Sequence, residues 1–149
     1  MTTYVDSGVL VKLYSYEALS KAAVELVAAL AQAPLVALHE LEVRNALRAQ
    51  RGRGVITARQ LSDALQAFDA DIYEHRLVRV QIDWPLLFQA SEVLSRQFTP
   101  SLFCRSLDIL HVAAARQIGC EELVTGDARQ ARLAEEAGLR AVNISGGSH

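Results

Sequence analysis

The chain has 149 residues, 51% of them hydrophobic, and a formal net charge of −2. That length suits one domain with one core, and that apolar content excludes disorder by composition. The near-neutral balance excludes an overall basic signature for nucleic acid while leaving room for a local basic surface.

In chain order, TYV (3–5) reads as a short strand and SGVLVKLY (7–14) as a helix, with Leu10, Leu13 and Tyr14 at helical spacing. An alanine-rich helix is predicted over 18–32, ended by Pro34, and LVAL (35–38) as a second strand. Residues 40–51 are predicted helical and closed by GRG. A helix over 57–74 starts at Thr57 as N-cap. LVRVQI (77–82) alternates like a strand, and DWPLL opens a helix with Pro85 tolerated in its first turn. Residues 98–105 read as a loop and 106–117 as a very apolar helix. ELV (122–124) is a strand, 128–137 a helix and RAVNI (140–144) a last strand.

Short apolar strands alternating with helices predict an α/β fold with a parallel sheet covered on both faces. A single domain over 1–144 is expected, followed by a flexible polar tail over 145–149. Cys104 and Cys120 form neither a disulfide framework nor a metal-spacing motif, so a reduced, cytoplasmic setting is the expectation. The opening residues carry an acid and no cleavable signal pattern, and no apolar stretch reaches roughly 18 residues without a charge, so no membrane span is expected.

In parallel sheets, ligands sit outside the carboxyl ends of the strands. Asp6 and Asp127 both lie at such ends. Each also precedes a helix, so each is an N-cap or a ligand, with Gly126 supplying a tight turn before Asp127. Asp83 has the same strand-then-helix setting and is an internal control: the local pattern alone does not decide. Asp108 differs. It lies in SLDILHVAAA, among apolar and small residues, and a helix apolar all round is a buried one. A carboxylate there needs a partner. Arg105, three residues earlier, is one solution; a metal ion is the other.

Helical geometry separates Glu42 from Glu40. At about 100° per residue, Val43, Ala46, Leu47 and Ala49 mark an apolar arc that includes Glu42. Glu40 falls outside it and makes an ordinary i,i+4 pair with Arg44. Four carboxylates, two at strand ends and two on inward helix faces, form an oxygen-rich set suited to Mg2+ or Mn2+ if they converge.

The stretches YVDSGVLVKLYSYE (4–17), ALHELEVRNAL (37–47), RSLDILHVAAARQIG (105–119) and LVTGDARQARLAEEAGL (123–139) resemble, in order and near spacing, the PIN-domain ribonucleases, in particular VapC-type toxins of prokaryotic toxin–antitoxin pairs. The resemblance implies a three-layer α/β/α sandwich with a central, mainly parallel sheet of about five strands. It implies Mg2+-dependent cleavage of RNA phosphodiesters, with Asp6, Glu42, Asp108 and Asp127 as the catalytic, metal-binding acids and one or two ions. It also implies an antitoxin and a homodimer partner. Ser7 and Thr125 match the family's hydroxyl positions. His39 stands where serine is often found, and Gly126 where a bulkier residue is common.

Supporting roles divide the same way. Thr125 and Ser7 either orient a carboxylate or cap a helix. His111 is either a general base or a packed histidine that supports the site. Arg105 pairs with Asp108 or contacts substrate phosphate. Arg44, Arg48, Arg51 and Arg53 form a basic strip that is a solvated face, or a contact for RNA or antitoxin. Two other classes remain as alternatives: a non-catalytic PIN-like module that binds RNA or a partner, and a phosphatase using Asp6 as nucleophile, which Gly8 at the position of a second acid disfavours.

Overall fold

The computed structural model describes residues 1–15 and 20–145. In chain order the elements are β1 (Thr3–Val5), α1 (Ser7–Tyr14), α2 (Ser20–Ala28), β2 (Ala33–Leu35), α3 (Ala37–Gly52), α4 (Ala58–Tyr73), β3 (Leu77–Arg79), α5 (Trp84–Leu102), α6 (Ser106–Ile118), β4 (Glu122–Thr125), α7 (Ala128–Glu136) and β5 (Arg140–Asn143). They fall into two compact units, residues 7–79 and residues 1–6 with 80 onward.

The larger unit holds a three-stranded parallel ladder in the order β1-β4-β5, with Val5 opposite Val124 and Val124 opposite Val142. Tyr4, Val5, Leu123 and Val124 are fully buried, as continuous apolar strands covered on both faces require. Helix α6 buries seven consecutive residues, Ile109 to Ala115. The other unit carries a parallel β2-β3 pair with α1, α2, α3 and α4. Among the described residues, five strands in two parallel sheets, interspersed with seven helices, are the expected α/β class and agree with a PIN-like fold.

Several boundaries differ from the sequence reading. Pro34 does not end a helix; it lies inside β2, and the strand is Ala33–Leu35 rather than 35–38. Ala33 donates its N–H to the Arg76 carbonyl, so the neighbouring Pro34 nitrogen points away from β3 and its missing proton costs that ladder nothing. Helix α3 then starts earlier than expected, at Ala37, where the ring Nδ1 of buried His39 accepts the Val36 N–H at 3.0 Å. Helix α2 ends at Ala28, and the reading that it starts at 18 lies outside the described residues. Helix α5 runs through Pro100 to Leu102, where a loop was expected, and stops at Phe103 in the left-handed region with φ 53°. Thr57 and Gln60 close α4 reciprocally: Gln60 N–H donates to Thr57 Oγ1 at 3.1 Å and Gln60 Oε1 accepts the Thr57 N–H at 2.8 Å. The expected polar tail lies outside the described residues except Ser145, whose hydroxyl donates to the Gly126 carbonyl. Among the described residues no helix is long and apolar enough to cross a membrane.

Candidate functional site

Strands β1 and β4 are adjacent and parallel, so their carboxyl ends lie side by side. The ladder continues one step past β1, where Asp6 donates its N–H to the Val124 carbonyl at 2.9 Å. Asp6 and Asp127 are thereby both fixed at this edge, and α6 brings Asp108 to it.

Asp127 does two jobs. Its Oδ1 accepts the N–H groups of Arg129 and Gln130 at 2.8 and 3.2 Å, capping α7. Its Oδ2 faces Arg105 Nη2 at 2.9 Å. Arg105 Nε reaches Asp108 Oδ2 at 3.1 Å, so one guanidinium bridges two of the acids. The sequence left Arg105 between Asp108 and substrate phosphate; here it pairs with both Asp108 and Asp127. Asp83, the control, is a cap for α5, accepting from Leu86 N–H at 3.1 Å, while its own N–H goes to Gln117.

Burial pushes the Asp108 carboxyl above the ordinary aspartate range. The Arg105 guanidinium pulls it back down, and the negative charges of Asp6 and Asp127 push it up again. Burial, then the charge of Asp108, also raises the Cys104 thiol, which disfavours a reactive thiolate there.

A hydrogen-bond chain, buried at Thr125 and Gln130, supports the same edge. Thr125 Oγ1 accepts the Asp127 N–H at 3.0 Å and donates to Gln130 Oε1 at 2.5 Å. Gln130 Nε2 in turn donates to Asp6 Oδ1 at 3.0 Å. Gln130 was missed by the sequence reading. Its signal was its spacing, three residues after the N-cap Asp127, which marks a capping box and conceals an inward-facing role. Gly126 needs no left-handed backbone, and an added Cβ meets only Ile144 at 3.8 Å, so its turn does not demand glycine. His111 is buried, with Nδ1 2.6 Å from the Tyr4 hydroxyl.

Within the other unit, Glu42 is half-buried and Glu42 Oε1 accepts from the hydroxyl of buried Ser7 at 3.3 Å. Ser7 directly follows Asp6 in the chain. The basic strip divides. Arg44 is held by Glu40 at 3.1 Å and Asp69 at 2.9 Å and lies over the Phe68 ring. Arg48, Arg51 and Arg53 are exposed.

Asp6, Asp108 and Asp127 are hard oxygen donors of the kind Mg2+ and Mn2+ take. Among the described residues no group of three or more His, Cys, Asp or Glu side chains stands close enough to hold an ion as arranged. The donor chemistry nonetheless fits a divalent cation: three carboxylates supply hard oxygens, and Arg105 divides its charge between two of them. No curated protein matches the chain. The PIN domain family matches residues 3–136, from β1 to the end of α7, and PIN domains are generally nucleases that typically use divalent metal ions. A match over that span carries the assignment: this chain belongs to the PIN-domain family.

Proposed function

We propose that this protein is a Mg2+-dependent endoribonuclease that hydrolyses RNA phosphodiester bonds, and the toxin of a type II toxin–antitoxin pair held inactive by its antitoxin in the cytoplasm. The observation that carries the nuclease reading is Asp108: a carboxylate on a buried helix, pushed up by burial and by Asp6 and Asp127, with Arg105 shared between it and Asp127. A buried carboxylate that shares its cation and is pushed up by neighbouring acids favours binding of a divalent cation.

Asp6, Asp108 and Asp127 are the residues that hold Mg2+, with Mn2+ an acceptable substitute and one or two ions in the complete site. By the family resemblance Glu42 is the fourth acid, oriented by the Ser7 hydroxyl. A divalent cation supplies Lewis-acid polarisation of a phosphoryl oxygen and lowers the pKa of water. The protein's own contribution is orientation and charge. Asp127 keeps one oxygen on α7 and pairs the other with Arg105. The Arg105 side chain is 70% exposed and carries the planar fork that matches phosphate oxygens. Arg48, Arg51 and Arg53 suit the RNA backbone or an acidic antitoxin segment, Arg44 less so because its guanidinium is engaged. His111, buried and hydrogen-bonded to Tyr4, suits a packing role rather than proton transfer. A homodimer completes this reading.

The Arg105 ion pairs also suit the alternative of a PIN-like module that binds without cutting, since they offset part of the charge on Asp108 and Asp127. Purified protein incubated with RNA in Mg2+, in EDTA and as Asp6→Asn separates the two. Cleavage is expected only in the first; cleavage that persists in Asp6→Asn overturns the assignment of the site. A neighbouring gene for a small DNA-binding protein is expected if the toxin role is right.

A further inference from the structure

Two helices in this chain begin with the same device, a polar N-cap followed three residues later by glutamine. In α4 the device behaves as its physics predicts: Gln60 is exposed and its Oε1 takes the Thr57 N–H. In α7 it does not. Gln130 is 1% exposed, and the Asp127 N–H that it should accept goes instead to Thr125 Oγ1. That bond leaves the Thr125 proton free to donate, and it donates to Gln130 Oε1. With its oxygen engaged there, the Gln130 carboxamide presents Nε2 to Asp6 Oδ1. The order of donors and acceptors is consistent along the whole chain, from Asp127 N–H through Thr125 and Gln130 to Asp6.

We propose that Gln130 is a positioning residue for Asp6, with Thr125 fixing its orientation, so that one hydrogen-bond chain with a buried centre holds the acids at the ends of β1 and β4 in a common arrangement. Gln130 does not touch substrate; it acts through Asp6. The inference rests on the metal-dependent reading of the site, and hydrogen-bonded partners of ligating carboxylates typically carry about 10–100-fold of metal affinity.

The test is Mn2+ binding by calorimetry to the full chain, followed by steady-state cleavage of a mixed-sequence RNA. Gln130→Met keeps the volume and removes the donor. It should weaken Mn2+ by about tenfold or more and raise the metal concentration needed for half-maximal cleavage, while KM for RNA stays unchanged. Thr125→Val should weaken Mn2+ in the same way and Thr125→Ser should not. The double variant Gln130→Met, Thr125→Val should lose less than the product of the two single losses, because both cut one chain. If Gln130→Met does not fold, Thr125→Val against Thr125→Ser decides. Folded variants that bind Mn2+ within about twofold of the wild type overturn the positioning role and leave Gln130 as packing. A wild type that neither binds Mn2+ nor cleaves RNA overturns the nuclease reading itself, and with it this inference.

Discussion

Glu40 and Asp108 are both helical carboxylates with arginine partners, and their environments push them in opposite directions. Glu40 accepts from two cations, Arg79 at 2.8 and 3.1 Å and Arg44 at 3.1 Å, and the Arg79 hydrogen bond foremost holds its carboxyl below the usual glutamate range. Asp108 shares its one bridging arginine with Asp127, and burial foremost holds it above the aspartate range. Glu40 is saturated with positive charge and has no call for a ligand. Asp108 sits in a deficit. An ion pair therefore means different things according to how many acids divide the cation.

The largest expected effect of this difference is on chemistry. Asp108→Asn should lower RNA cleavage by at least about a hundredfold, and Glu40→Gln should leave it within about twofold, measured as initial rates at saturating Mg2+. Equal losses in the two variants would erase the distinction. Next comes metal linkage. Mn2+ at about 100 times its dissociation constant should stabilise the wild type and Glu40→Gln by about 2.7 kcal/mol, read as a shift in the thermal midpoint. Asp108→Asn should show little of that shift. A shift retained in Asp108→Asn would move the metal away from these acids.

Helix capping offers a smaller effect and a second control. Asp83→Ala and Asp127→Ala each remove an N-cap, costing roughly 1 kcal/mol of stability in chemical denaturation. Only Asp127→Ala should also reduce cleavage. Equal cleavage in the two variants would reduce Asp127 to a cap, the same role as Asp83.

Asp108 was legible as an oddity because its neighbours are apolar on every side, and Arg105 as its partner because three residues is one helical turn. The Glu40–Arg44 pair was legible for the same reason. What sequence could not supply was the division of charge. That Arg105 also reaches Asp127, and that Arg79 also reaches Glu40, depends on strands and helices distant in the chain. Gln130 was hidden differently: its local pattern has a sufficient local explanation, and only the Thr125 hydroxyl, taking the Asp127 N–H, turns it inward. Two of the boundaries that slipped are ones where proline has a local meaning that the fold overrides. Pro34 sits with its nitrogen away from β3, and Pro100 near the last turn of α5 gives up only its own hydrogen bond.

The smallest expected effect is the most direct reading of the comparison, because the two acids should bend stability with pH in opposite senses. The folded pKa of Glu40 is depressed. Its pairing therefore stabilises the protein above the ordinary glutamate range, and that contribution is lost as pH falls through the folded pKa. The folded pKa of Asp108 is raised. In metal-free protein the folded state favours the protonated acid, so the cost of ionising it appears as pH rises from the ordinary aspartate range through the raised value. Urea midpoints in EDTA, at about pH 4 and about pH 7, should separate these. Glu40→Gln should be less stable than wild type at the higher pH by roughly 1 kcal/mol or less, and the gap should close in acid. Asp108→Asn should gain on wild type as pH rises. Midpoints that run parallel in all three proteins would mean that Arg105 satisfies Asp108 fully, and the case for a charge deficit at this edge would fail.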